Sequence, residues 1–129
     1  MKILHPPTWP KSKGYSNGVV AEGKQIFISG QIGWNEEGQI VSQEFAAQVK
    51  QALKNVLAIL GEAGAKGEHI VRMTWFVKNK KEYLSNLQEI GESYRTVIGK
   101  HFPAMTLVQV SDLLEEGAKV EIEVTAVLP

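Results

Sequence analysis

Phe102–Val127 reads FPAMTLVQVSDLLEEGAKVEIEVTAV and holds two β-type runs, Met105–Val110 and Val120–Val127, around an acidic connection that contains glycine. The second run alternates without a fault. Val120, Ile122, Val124 and Ala126 fall on one side, and Glu121, Glu123, Thr125 and Val127 on the other. Successive side chains of a strand point to opposite faces, so one face packs on a core while the other presents two carboxylates.

Upstream of this pair, Ile70–Val77 sets Val71, Met73, Trp75 and Val77 opposite Ile70, Arg72, Thr74 and Phe76. Both sides are largely apolar, which predicts a central strand covered on both faces. From Glu44 to Ala63 the period changes: Phe45, Val49, Ala52, Leu53, Val56, Leu57 and Leu60 repeat at three and four, the wide apolar stripe of a helix. Ser42 is its expected cap, and Gly61 and Gly64 its stop. A second helix from about Lys80 to Ile98 shows Tyr83, Leu84, Leu87, Ile90, Tyr94 and Val97, with Gly99 as its end.

Nearer the start, Val19–Ala21 and Gln25–Gln31 flank Glu22-Gly23-Lys24, which predicts a hairpin. A loop follows from Trp34 to about Gln43. His5–Pro10 holds three of the five prolines, so residues 1–13 are expected as an extended arm unable to join a central ladder. The order β-β-α-β-α-β-β predicts one α+β domain over residues 1–129, a two-layer sandwich with both helices on one face of a mixed sheet. The other face would carry Thr74, Phe76, Met105 and Leu107, or their alternates. Such a face is too apolar to stay wet, which predicts a closed homo-oligomer with the glutamates near a subunit boundary.

Composition narrows the function classes. Fourteen basic residues balance fourteen acidic ones, so no global field favours nucleic acid or an anionic membrane, and no basic stripe supports RNA binding. The absence of cysteine excludes disulfides and thiolate chemistry. The start, MKILHPPTWPK, lacks the apolar core of a signal peptide and no later run could span a bilayer, so a cytoplasmic protein is expected. Arg72 and Arg95 are the only guanidinium groups.

The candidate chemistry is spare. Glu121 and Glu123 are either a solvated pair or, if an interface buries them, a proton-transfer pair. Tyr15, in the turn cluster Lys13–Gly18, and Ser29, at a strand end, carry hydroxyls that serve either a ligand or a local hydrogen bond. Met73, Met105, Trp34 and Trp75 read first as packing residues, and Trp34, in the loop after a strand, is the one aromatic that is also a candidate pocket wall. His5, His69 and His101 lie far apart and show no His-x-x-x-His spacing, so nothing points to a metal site. Gly30 and Gly33 complete no phosphate loop.

Taken together, Gly14-Tyr15, Ile28-Ser29-Gly30-Gln31, Ala47–Val56 (AQVKQALKNV), Phe76-Val77-Lys78, Phe102-Pro103-Ala104 and Val120-Glu121-Ile122-Glu123 resemble the RidA (YjgF, L-PSP) family in order and spacing, from about Gly14 to Val127. The resemblance implies a chorismate-mutase-like homotrimer with small-molecule ligands in clefts between subunits. It also implies hydrolysis of reactive imines and enamines, such as 2-aminoacrylate, to keto acids and ammonia without metal or organic cofactor. In that scheme an arginine after the Pro-Ala pair clamps the substrate carboxylate, and a glutamate on the last strand orients the attacking water. Carried over, the catalytic positions are Glu121 and Tyr15. The substrate-binding positions are Ser29, Gly30, Trp34, Met105, Thr106 and Leu107.

This chain departs from the family at Met105, which stands where the deaminating members have arginine. A guanidinium forks two charge-assisted bonds to a carboxylate, and a thioether offers neither charge nor donor. Losing one partner of a desolvated ion pair costs about 2–5 kcal/mol, or roughly 30- to several-thousand-fold. Weak activity on 2-aminoacrylate is therefore expected, and a substrate neutral at that end. Arg72 and Arg95 are the available substitutes, but their elements are expected to point them elsewhere. A family pocket asparagine has no equivalent; Asn86 is one register away. The alternative is a non-catalytic trimeric small-molecule binding or regulatory protein.

Overall fold

The computed structural model describes residues 1–129. Four strands form the main sheet in the order β3-β6-β4-β5: β3 is Lys24–Gln31, β4 Ile70–Val77, β5 Ala104–Gln109 and β6 Val120–Leu128. β6 runs antiparallel to both neighbours, and β4 and β5 are parallel. Helices α1 (Phe45–Glu62), α2 (Lys80–Ser85) and α3 (Leu87–Val97) supply the second layer. The fold is mixed α+β.

The alternation of β6 sets the core. Val120, Ile122, Val124 and Ala126 are buried beneath the helices, with Ile70, Met73, Trp75 and Val77 of β4 beside them. From α1 the stripe Phe45, Val49, Ala52, Leu53, Val56 and Leu60 closes over this layer, each residue buried. α1 ends in a Schellman turn, in which Ala65 N–H donates to Leu60 O (3.0 Å) and Gly64 N–H to Gly61 O (3.1 Å), with Gly64 at φ +73°.

The capping expectation shifts by two residues. Glu44 occupies the N-cap without a side-chain bond, and Ser42 Oγ accepts from Glu44 N–H at 2.9 Å.

Three expectations are corrected. The strand Gly18–Val20 (β2) makes no hairpin with β3; it pairs antiparallel with Lys2–Leu4 (β1) in a separate two-stranded ribbon. Gly23 instead serves a close approach, since a Cβ there would lie 2.8 Å from the carbonyl carbon of Leu128. The arm is not extended throughout, because Trp9 N–H returns to Pro6 O (3.0 Å) in a turn.

The second helix is broken at Asn86. Its Nδ2 donates to Glu82 O (2.7 Å) and its N–H to Tyr83 O (3.1 Å), a local alternative to helical pairing. Asn79 caps α2 by accepting from Lys81 N–H and Glu82 N–H.

β4 is central, yet within the chain only one of its faces is covered. The helix-free face carries Arg72, Thr74 and Phe76 of β4, Glu121, Glu123 and Thr125 of β6, and Phe27, which is 73% exposed. On β5 the residues on that face are the alternates. Thr106 and Val108 lie there, while Met105 and Leu107 pair beside Met73 and Trp75 and pack toward the helices.

Candidate functional site

At the β5 edge of the sheet a groove of about 570 Å³ opens between β5, the turn at Lys13–Tyr15 and helices α2 and α3. Met105, Thr106 and Leu107 form one side, next to Tyr15. The turn is held to the strand by Ser16, whose N–H donates to Pro103 O (3.0 Å) and whose hydroxyl donates to Phe102 O. That contact explains why a tyrosine in an early turn sits beside the residues after Pro103-Ala104.

The inner wall is aromatic and apolar. Tyr83 meets Trp75 and Phe45 edge-on, each at 6.4 Å between centroids. Tyr94 stacks on Phe102 at 5.6 Å and donates its hydroxyl to His101 O at 2.6 Å. Burial pushes the phenols of Tyr83 and Tyr94 up from their ordinary value, Tyr94 strongly, so both stay neutral across the physiological range. Trp75 is 4% exposed, and its Nε1 is the one buried side-chain polar atom without a hydrogen-bond partner.

Two cations line the groove, Lys13 and Arg95, and no acid does. The expectation that Arg95 points elsewhere is therefore corrected. Leu87, Ile90, Gly91, Tyr94 and Arg95 share one stripe of α3 at spacings of three and four, and the arginine closes it. That spacing was visible in the sequence as i+8 from Leu87 and i+4 from Gly91. Arg72 does lie elsewhere, in a smaller depression of about 430 Å³ on the helix-free face with Ser29 and Glu123.

The remaining expected residues gather at the opposite side of the sheet. A register shift between Ile28 and Gln31 leaves Ser29 and Gly30 out of the regular pairing with β6. The half-buried Glu121 side chain lies against Gly30, where a Cβ would stand 2.6 Å from Glu121 Cδ. Gln31 Nε2 donates to Ser29 O (3.2 Å) and approaches Ser29 Oγ (3.4 Å).

Trp34 is half-buried in the β3–α1 loop, bridged to Ile40 and outside the β5 groove. Its carbonyl accepts from Asn55 Nδ2 (2.9 Å), as does that of Ile32 (3.2 Å). The chain therefore presents two patches. Tyr15, Met105, Thr106 and Leu107 sit at the β5 edge, and Ser29, Gly30 and Glu121 lie on the β3–β6 side.

The polar residues of Ala47–Val56 hold the scaffold together. Gln48 is fully buried; its Nε2 donates to Ser42 O and Gly117 O (2.9 Å each) and its Oε1 accepts from Lys119 N–H (2.8 Å). Gly33 abuts this residue, since a Cβ there would stand 2.7 Å from Gln48 Cα. Asn86, at the helix break, is occupied by its bond to Glu82. The histidines are spread out as well: His69 accepts from Lys66 N–H (2.9 Å) and His101 bonds Ile70 O (2.7 Å). No three His, Cys, Asp or Glu side chains cluster as metal ligands would, and no helix is long and apolar enough to cross a membrane.

The family model described as Endoribonuclease L-PSP matches residues 8–128. The chain belongs to the RidA/YjgF family. A RutC family protein of Aquifex aeolicus is 41% identical over 98% of this RidA/YjgF chain and 99% of its own. The human 2-iminobutanoate/2-iminopropanoate deaminase is 35% identical over 88% and 79% of the two chains. Among solved structures, the Rid family protein YyfB of Yersinia pestis superposes with a TM-score of 0.88 at 31% identity, covering 98% of each chain. E. coli TdcF, solved with bound serine, gives 0.70 at 32% identity and full coverage of both.

Proposed function

We propose that this RidA/YjgF member hydrolyses an imine or enamine of a small metabolite in clefts between the subunits of a homotrimer. The observation that carries this reading is the division of the family's site residues between the two sides of one sheet. β3 lies three strand spacings of about 4.8 Å from β5, roughly 14 Å, and β6 two, roughly 10 Å, and Glu121 and Met105 point to opposite faces of the sheet, so one small molecule does not span both patches of a single chain. Packing the β3–β6 side of one copy against the β5 groove of the next would join them. The exposed Phe27 and the half-buried Phe76 of the helix-free face suit such an interface.

In this cleft the substrate's C=N carbon lies near Glu121 of one copy and Tyr15 of another. An enamine first takes a proton at carbon to become the imine. Glu121 accepts a proton from water as the oxygen attacks the imine carbon, giving a carbinolamine. Glu121 passes that proton to the nitrogen, then takes the hydroxyl proton and delivers it to the nitrogen as the C–N bond breaks, leaving ammonia and the carbonyl product. Nothing in the sequence requires a cofactor. Support for the reaction class comes from the relatives named as imine deaminases and from the retained Tyr15, Ser29 and Glu121. The corresponding setting is the cytoplasm.

Met105 offers the standard substrate's carboxylate neither charge nor donor and favours a second reading, a trimer that binds a small molecule without turning it over. A coupled assay for ammonia from 2-aminoacrylate and larger imines separates the two. Turnover above buffer supports the hydrolase. Ligand-induced thermal stabilisation with no turnover supports the binding protein.

A further inference from the structure

We propose that Arg95, laid back over Gly91, is the cation that holds a ligand carboxylate in the Met105 groove, which selects carboxylates carrying an aromatic or branched apolar body. This builds on the reading of the groove as the ligand site and assigns the residue that sets its specificity. Helical side chains lean toward the N-terminus, so residue 95 reaches over residue 91. A Cβ at position 91 would lie 3.1 Å from Arg95 Nη1 and 3.8 Å from Cζ. The guanidinium therefore lies along the groove wall, over a glycine that a helix interior would otherwise disfavour.

The charge is free to take a ligand. The chain forms two ion pairs, Lys78–Asp112 and Lys119–Glu82, and neither involves Arg95 or Lys13. With no acid in the lining, both groove cations await an anion from outside. Trp75 adds an independent sign: its buried Nε1–H, in the same lining, has no acceptor. Unpaired buried donors are rare and point to a missing partner. The unmet groups are thus all donors or cations, while Met105, Leu87 and Ile90 present apolar surface. A ligand with an anionic acceptor at one end and an apolar body matches both, and the flexible thioether of Met105 adapts to the body. A guanidinium also suits a carboxylate better than an ammonium does, because its fork bonds both oxygens.

The test titrates 3-phenylpropanoate and its neutral amide into the full-length protein, followed by calorimetry and indole fluorescence. The acid is expected to bind at least ten-fold tighter than the amide. Arg95→Met should bring the acid down to the amide's level, and Arg95→Lys should recover part of the loss. Gly91→Ala should weaken the acid several-fold and not lower the melting temperature. Arg95 is exposed, so its variants are expected to fold, and circular dichroism melts check this.

A loss of less than five-fold in Arg95→Met, or equal binding of acid and amide to the wild type, overturns the proposal. Imine turnover separates it from the hydrolase reading. Turnover with an unchanged KM in Arg95→Met removes Arg95 and keeps the hydrolase. Arg95-dependent carboxylate binding without any turnover does the reverse.

Discussion

The carboxyl group of Glu121 occupies the space that a side chain at position 30 would need, with Cδ and Cγ 2.6 and 2.7 Å from where a Cβ of Gly30 would stand. The glycine and the glutamate therefore form one unit, at the register shift between β3 and β6. Adding a methyl group at Gly30 must displace the carboxylate or the strand. Gly30→Ala is expected to cost about 1–3 kcal/mol, as overpacking does. Urea denaturation measures it, and Glu121→Ala in the same chain should return most of the loss.

Met105 supplies a gain-of-function prediction. Restoring a guanidinium after Pro103-Ala104 recreates the two-bond fork for a small carboxylate. Met105→Arg should raise hydrolysis of 2-aminoacrylate by roughly 30-fold or more, read as ammonia release. An unchanged rate in a folded protein would show that the rest of the machinery does not support the reaction.

Gln48 should be one of the costliest single positions in the scaffold. Gln48→Leu matches it in size but leaves Ser42 O, Gly117 O and Lys119 N–H without their partner. At about 1–3 kcal/mol for each of these three unsatisfied groups, the expected loss is at least about 3 kcal/mol in urea denaturation.

Much of the fold was legible because its signals are local. The alternation of β6, the stripe of α1 and the two-sided apolarity of β4 each report an element from its own residues. Pairing between distant segments was not. Glu22-Gly23-Lys24 carries an ordinary hairpin signal, yet β2 pairs with β1, and only the contact between Gly23 and Leu128 reveals why the glycine is there. The break at Asn86 was hidden because the apolar stripe runs on through it. Arg95 keeps the spacing of that stripe, at i+4 from Gly91 and i+8 from Leu87, but that the stripe lines a groove emerged only with the structure. Of the candidate site, the residue identities were legible; their division between two sides of the sheet depends on strand order, which no single motif encodes.

Tyr94 predicts an alkaline weakness. Its phenol is buried and hydrogen-bonded to His101 O, and burial raises its pKa above the unfolded value of about 10. A raised folded pKa means that the native state holds the proton more tightly. The associated stability is complete below pH 10 and is lost as the pH rises beyond it. The melting temperature should fall above pH 10 in the wild type and fall less in Tyr94→Phe.

Comparing wild type with Glu121→Gln in an ammonia-release assay, over imines generated in situ by an amino acid oxidase, bears most directly on imine hydrolysis in a shared cleft. The wild type should outpace buffer, more for imines with aromatic or branched side chains than for 2-iminopropanoate, and the substitution should lower the rate by about 100-fold or more. A folded oligomer that accelerates none of these imines, or a Glu121→Gln variant as fast as wild type, would contradict it.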